Sequence, residues 1–166
     1  MTEEVQIRAA TQADLPDILA LQAELVRPGE DATPLSLEAA RAILRRLTTY
    51  PDYAIHVAVD RDSGAILGTF ALLIMDNLAH AGRPSAIVED VCVDSRLRRQ
   101  GIGRAMMQAA MEQARQRGCY KLALSSNLAR DAAHAFYRSL GFVQHGLSFH
   151  VTLPGLGGGC GDRQPG

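Results

Sequence analysis

A loop rich in arginine and glycine separates the apolar segment Val91–Val93 from a long helical pattern. Gly101 and Gly103 have no Cβ, so backbone N–H groups at these positions can approach a ligand closely. A helix that begins beside them leaves its first N–H groups unpaired and concentrates partial positive charge there. Full positive charges are added by Arg98, Arg99 and Arg104. This pattern predicts a binding site for a phosphate or pyrophosphate group.

Two common phosphate-binding loops are excluded by residue identity. A dinucleotide-binding fingerprint needs a third glycine where this chain has Met106, and it needs an acidic residue about 20 positions further on, which is missing. A P-loop needs a lysine directly after its last glycine, and the only lysine of the chain is Lys121. The ligand must therefore be sought among other phosphate-bearing molecules.

Hydrophobic periodicity predicts the elements that position this loop. The pattern indicates strands at Val5–Ala9, Tyr53–Asp60, Ala65–Met75, Ser85–Val93 and Tyr120–Ser125, and a closing hairpin of Phe142–Val143 with Leu147–Leu153. Helical spacing runs from Leu15 to Val26, after a Thr11-x-x-Asp14 capping box, and over about 36–48, 101–117 and 130–140. The predicted order is β-α-α-β-β-β-α-β-α-β-β.

Composition sets limits on the class of protein. The 166 residues predict one domain over 1–153, followed by a glycine- and proline-rich tail over 154–166. A net charge of −1 gives no overall field that would recruit nucleic acid or an anionic membrane. Three cysteines without metal-ligand spacing, no signal-peptide pattern and no apolar run of membrane-spanning length predict a cytoplasmic protein without a metal site.

The loop 98–103 resembles the acyl-CoA-binding signature [QR]-x-x-G-x-[GA] of the GNAT N-acetyltransferase superfamily. The segments Ile7–Leu15 and Ala135–Phe142 are similar to the usual start and end of that family. The resemblance covers about residues 5–153. It implies an α/β fold with a twisted, mixed sheet of about seven strands flanked by about four helices. The sheet would splay between its fourth and fifth strands, and acetyl-CoA would enter the gap.

The resemblance also implies roles for individual residues. The pantetheine arm would pair with the backbone of Val91, Cys92 and Val93. The pyrophosphate would lie on the amides of the loop formed by Arg98, Arg99, Gln100, Gly101, Ile102, Gly103 and Arg104. Asn127 would make a polar contact with the cofactor, and Phe136 and Tyr137 would flank the thioester. Tyr137 would also protonate the departing thiolate.

Acetyl transfer to an amine needs a deprotonated nucleophile, and Glu89 and Asp90 are the candidate bases. Adjacent carboxylates in a central strand are costly without a use or a partner. Strict alternation places Asp90 on one face with Val88 and Cys92, and Glu89 on the other. The resemblance implies a β-bulge here, which would reverse that phase. The alternative is that both carboxylates bind substrate without transferring a proton.

The sequence favours a small primary amine as the acceptor. Ile87–Val91 is similar to the corresponding strand of glucosamine-phosphate acetyltransferases, and residues 125–137 are similar to aminoalkylphosphonate acetyltransferases. His80 is a further candidate for substrate or subunit contact. The alternatives are a protein acetyltransferase, a non-catalytic CoA-binding regulatory module and, more weakly, a nucleotide-binding regulator. Homodimers are frequent in the superfamily, so a homodimer is compatible with this assignment.

Overall fold

The computed structural model describes residues 5–25 and 33–151. They form two compact units, with the first ending at Ser126 and the second beginning at Asn127. The strands of the first unit are β1 (Val5–Ala9), β2 (Tyr53–Asp60), β3 (Ile66–Met75), β4 (Ser85–Val93) and β5 (Leu122–Ala123). Its helices are α1 (Leu15–Ala23), α2 (Leu37–Leu47) and α3 (Ile102–Gln116), and the second unit contains α4 (Asp131–Ser139).

The strands form one mixed sheet in the order β1-β2-β3-β4-β5. The pairs from β1 to β4 are antiparallel, whereas β4 and β5 are parallel. The parallel pairing is confined to two residue pairs, Ala86 with Leu122 and Ile87 with Ala123. This mixed α/β architecture confirms the predicted fold class, with five strands in the described residues rather than about seven.

The sheet is covered on both faces by helices. On one face, Val57 of β2 packs against Ile18 of α1, and Ile55 packs against the cluster that joins α1 and α2. On the other face α3 packs against β3 and β4. The approach of α3 is close, because a Cβ on Gly68 would lie 2.8 Å from the sulfur of Met106. Gly68 is therefore required by packing and not by a turn.

The predicted closing hairpin is wrong for the residues that the structure describes. Residues 142–151 contain no strand, and residues 152–153 lie outside the described part of the chain, as does the predicted tail. The alternating apolar side chains are mostly exposed, at 69% for Leu147, 88% for Phe149 and 77% for Val151. Alternation predicts a strand only where one face is buried against a partner, and these side chains have no such burial. The fifth strand is likewise shorter than the predicted Tyr120–Ser125.

The predicted capping box joins β1 to α1. The carboxylate of Asp14 accepts hydrogen bonds from the backbone N–H of Thr11 at 2.7 Å and from its hydroxyl at 2.8 Å. Both of its oxygens also receive the guanidinium of Arg8, at 2.7 and 2.8 Å. The Arg8 hydrogen bonds are the main cause that lowers the pKa of Asp14 to about 2. A buried carboxylate of this kind is stable only while it is charged and paired.

No helix in residues 5–25 and 33–151 is long and apolar enough to cross a membrane.

We expect Asp14→Asn to lower the free energy of unfolding at pH 7 by about 1–2 kcal/mol, because the amide keeps the shape but loses the charge that Arg8 binds. The pKa of Asp14 is depressed in the folded state, so its contribution is complete above 3.8 and is lost as the pH falls towards 2. Urea unfolding at pH 7 and at pH 3 measures this, with Asp62→Asn in an exposed turn as the control. If the variant loses as much free energy of unfolding at pH 3 as at pH 7, the charge of Asp14 is not the source of the stabilisation.

Candidate active site

A β-bulge interrupts β4 at the two acidic residues. Ala71 of β3 pairs with Glu89 and Thr69 pairs with Cys92, so Phe70 alone lies opposite both Asp90 and Val91. Asp90 has a positive φ of 51°, which is unusual for a residue other than glycine. A bulge leaves its extra residue out of the strand ladder and bends the strand. The backbone at this point of β4 is therefore available for contacts outside the sheet.

The bulge corrects the faces that strict alternation predicts. Val88 pairs with Leu72 whereas Cys92 pairs with Thr69, so Val88 and Cys92 lie on opposite faces of the sheet. The Cys92 thiol lies on the α1 face, where it donates a hydrogen bond to the carbonyl of Leu21 at 3.1 Å. Cys92 is buried and serves packing there. The same register places Glu89 on the face covered by α1 and α2.

One edge of β4 is left open beyond Ile87. The parallel pairing with β5 ends at Ile87, and no strand in residues 5–25 or 33–151 pairs with Val88–Val93 on that side. Backbone N–H and C=O groups need hydrogen-bond partners wherever water is excluded. An extended ligand with amide groups could supply such partners by lying along this edge. The expected splay between the fourth and fifth strands is therefore present.

The loop after β4 is held by a local ion pair. Asp94 is buried, and its carboxylate accepts hydrogen bonds from the backbone N–H of Arg96 at 2.9 Å and from its guanidinium at 3.0 and 2.6 Å. These bonds lower the pKa of Asp94 to about 2. They fix the short 3-10 turn Ser95–Leu97, from which the glycine-rich loop continues.

The glycine-rich loop has the backbone shape of an anion site. Arg99 and Gly101 both have positive φ angles, of 66° and 86°. Left-handed residues alternating with right-handed ones turn successive N–H groups towards one point. Helix α3 begins at Ile102, and its N-cap Gly101 has no side chain to cap the first N–H groups. The loop therefore places two left-handed residues directly before the positive end of a helix dipole, a combination that suits an anion.

The charges of this loop are not all equally available. Arg98 forms an ion pair with Glu24 of the α1 end at 3.6 Å, so part of its charge is neutralised. Arg99 is exposed and has no ion-pair partner in residues 5–25 or 33–151. Arg104 is exposed in the first turn of α3. The sequence shows three arginines in and next to this loop, but the ion pair between Arg98 and Glu24 is visible only in the folded structure.

The second unit contains a small aromatic group on α4. The rings of Phe136 and Tyr137 lie 5.2 Å apart, and Tyr137 contacts Phe142 edge-on at 5.7 Å. Burial raises the pKa of Tyr137, with a smaller opposing effect from Arg130. The phenol is therefore protonated at neutral pH and able to donate its proton. Asn127 precedes this helix, and its side-chain oxygen accepts a hydrogen bond from the Ala129 N–H at 2.9 Å.

His80 lies in the turn before β4, away from the bulge. Its ring stacks on Tyr120 at 3.9 Å, and the Tyr120 N–H binds the carbonyl of Pro84 just before β4. The bulge and Val91–Val93 occupy the other end of the same strand. The structure therefore does not bring His80 together with Glu89 and Asp90.

Two residues that the sequence did not single out lie beside this region. Tyr53 begins β2, and the charges of Asp90 and Glu89 both contribute to raising the pKa of its phenol, after burial as the main cause. Ser126 follows β5, and its hydroxyl is buried without a hydrogen-bond partner in the described residues. Neither has a sequence signal, because a single tyrosine or serine at a strand end is common. Only the sheet register places Tyr53 on the same face as Glu89.

Comparison with known proteins decides the family. A family model described as the acetyltransferase (GNAT) family matches residues 19–142, which is most of the chain and includes the bulge and the glycine-rich loop. The chain belongs to the GNAT acetyltransferase family. Family and named relatives together establish it as an N-acetyltransferase.

The relatives cover almost the whole chain. A glucosamine 6-phosphate N-acetyltransferase from Trypanosoma brucei brucei is 32% identical over 152 residues, which span 90% of this chain and 97% of the relative. An aminoalkylphosphonate N-acetyltransferase from Salmonella typhimurium is 30% identical over 148 residues, with coverage of 89% and 91%. A solved structure from Agrobacterium tumefaciens str. C58 superposes with a TM-score of 0.81 at 35% identity, over 89% of this chain and 99% of that one.

We expect Gly101→Val to raise the Kd for coenzyme A about tenfold or more. A β-branched residue is strained at a φ of 86°, by about 1–3 kcal/mol, so the loop would abandon the shape that gathers its amides. Isothermal titration calorimetry measures the Kd. Gly64→Val is the matched control, because Gly64 also has a positive φ, of 73°, and open space around it, but lies in the turn between β2 and β3. Equal Kd values for both variants and the wild type would contradict the loop assignment.

Proposed function

We propose that this N-acetyltransferase moves an acetyl group from acetyl-CoA to the primary amine of a small molecule, by direct attack in a ternary complex. The observation that supports this most directly is the open edge of β4 running into an anion-binding loop within one unit. GNAT enzymes use acetyl-CoA as their acetyl donor, and this cofactor combines an amide-bearing arm with a pyrophosphate. The arm matches the open edge of β4, and the pyrophosphate matches the glycine-rich loop that follows this strand.

The cofactor would bind by extending the sheet. The two amides of pantetheine would pair with the backbone of Val91, Cys92 and Val93, where β5 has diverged. The pyrophosphate would then reach the amides between Arg98 and Arg104, with Arg99 as the exposed cation nearest the left-handed turn. The resemblance to the family also assigns cofactor contacts to Asn127, Phe136 and Tyr137, which belong to the second unit.

The chemistry requires the amine to lose a proton before it attacks. An alkylammonium has a pKa near 10.4, so a base must accept that proton, and Glu89 or Asp90 would do so directly or through water. The nitrogen then bonds to the thioester carbon, and an N–H near the bulge stabilises the oxyanion. When the C–S bond breaks, the electron pair leaves on the sulfur, Tyr137 would supply its proton, and the second proton lost by the nitrogen would restore the phenol.

The acceptor class follows from charge as well as from the relatives. Glu89 and Asp90 are exposed, and neither has an ion-pair partner among residues 5–25 and 33–151. Two unpaired carboxylates favour a cationic ligand such as an ammonium group. Glucosamine 6-phosphate and aminoalkylphosphonates, named for the two relatives, both combine an amine with an anion. We therefore assign the acceptor to small amines that also bear a phosphate or phosphonate.

A panel of small amines assayed with acetyl-CoA for release of free thiol tests this function. We expect release with at least one amine, and a kcat lowered by about tenfold or more in Tyr137→Phe, because the thiolate loses its proton donor. The Kd for coenzyme A should stay within about twofold. Tyr120→Phe removes a phenol from the segment before β5 and is the control. An unchanged kcat in Tyr137→Phe would remove this residue from the mechanism.

Replacement of each carboxylate separately identifies the base. We expect one of Glu89→Gln and Asp90→Asn to lower kcat by about 100-fold or more, because the amine then has no group to accept its proton. The other should mainly raise the KM for the amine, since that carboxylate would bind the ammonium group without accepting its proton. Asp62→Asn is the control for loss of an exposed carboxylate. If both variants keep the wild-type kcat, neither residue is the base.

A further inference from the structure

Tyr53 lies on the same face of the sheet as Glu89. Its neighbours along the strand, Ile55 and Val57, face the helices α1 and α2. In the sheet register, Ile55 of β2 pairs with Ala71 of β3, which pairs with Glu89 of β4. In the same way, Tyr53 pairs with Leu73, which pairs with Ile87. Tyr53 and Glu89 are therefore separated by two strand spacings, about 10 Å, and by one step of two residues along the strands. Long side chains on a shared face can approach across that distance.

The surroundings of the Tyr53 phenol support this proximity. Burial and the charges of Asp90 and Glu89 all raise its pKa, so the phenol is protonated and neutral at pH 7. Its ring is held by an edge contact with Tyr50, with centroids 6.4 Å apart. Within residues 5–25 and 33–151 its hydroxyl has no hydrogen-bond partner, and no direct bond joins it to either carboxylate.

The electrostatic setting determines how this hydroxyl would be used. A neutral phenol directs its O–H dipole at a neighbouring carboxylate while no cation is bound, and it rotates about its C–O bond when a cation binds there, so that its oxygen lone pairs face the cation. A cation bound by the same carboxylates would meet those lone pairs. In an acceptor amine that cation is the ammonium group, which has three N–H donors to distribute. Glu89, Asp90 and Tyr53 offer three acceptors for them.

We propose that Tyr53 is a substrate-binding residue whose phenol oxygen accepts a hydrogen bond from the ammonium group of the acceptor. The inference rests on the proposed function, since it assigns a further contact to the same amine. It also restricts the acceptor to amines that enter the site charged. The phenol then holds the nitrogen in place while a carboxylate removes the proton, and its own bond to the nitrogen is kept after deprotonation.

The test compares Tyr53→Phe with Tyr50→Phe, which removes a phenol from the neighbouring ring that is 49% exposed. The probes are glucosamine 6-phosphate and 2-aminoethylphosphonate, and calorimetry measures each Kd with the enzyme saturated with coenzyme A. We expect Tyr53→Phe to raise both Kd values about 3- to 10-fold, as loss of one hydrogen bond does. The KM of the acetylated amine should rise by the same factor, with the KM for acetyl-CoA unchanged. Tyr50→Phe should match the wild type.

A third probe separates the ammonium contact from any other. N-acetylglucosamine 6-phosphate has the same sugar and phosphate but no ammonium group, so Tyr53→Phe should leave its Kd unchanged. If Tyr53→Phe raises the Kd of this probe by the same factor, or raises only the Kd of glucosamine 6-phosphate, the phenol contacts a hydroxyl or the phosphate and the proposal is overturned. Unchanged Kd values for both amines would overturn it as well.

Failure of the proposed function gives a different result. If the wild type binds the two amines but releases no thiol with any amine of the panel, acetyl transfer to small amines is wrong. The Kd comparison then still decides the role of Tyr53 in binding. If the wild type binds no amine of the panel, both proposals are overturned together.

Discussion

The end of the parallel pairing between β4 and β5 is the constraint on which the rest of this site depends. Two residue pairs, at Ala86 and Ile87, join the strands, and the edge of Val88–Val93 is then left without a strand. Backbone amides at such an edge need partners when water is excluded. The turn Ser95–Leu97 and then the glycine-rich loop follow this edge, so a ligand that paired with the strand would extend towards the N-terminus of α3. The position of one strand end thus underlies both halves of the proposed cofactor site.

Two residues, one within this edge and one beyond it, have a left-handed backbone conformation. Asp90 and Arg99 both have left-handed φ angles that cost energy for residues other than glycine. At Asp90 the cost accompanies the bulge, which separates the faces of Val88 and Cys92 and presents both carboxylates to solvent. At Arg99 it accompanies a turn held by hydrogen bonds between the buried Asp94 and the exposed Arg96. Neighbouring structure fixes both conformations in the unbound protein, so a ligand that bound there would cause little loss of conformational entropy.

Most elements of the first unit could be predicted from sequence, because each buries an apolar face with a regular period. Helix α3 and strands β1 to β4 lie close to their predicted bounds. The prediction was wrong for the hairpin after Phe142, where Leu147, Phe149 and Val151 alternate correctly but stay exposed. Periodicity describes what a segment could bury, and a strand forms only when a partner edge is present. Tyr53 shows the same limit, since nothing in its local sequence relates it to residues two strands away.

The sequence by itself indicated the family, the order of the elements as far as α4 and the glycine-rich turn before α3, because glycine, arginine and helix-forming residues act through local backbone conformation and charge. Only the tertiary structure decided which groups share a face and which charges remain available. The bulge at Asp90, the Arg98–Glu24 ion pair and the register from Tyr53 to Glu89 all depend on contacts between segments distant in the chain. A register shift of one residue exchanges the two faces of a strand, and no local pattern specifies it.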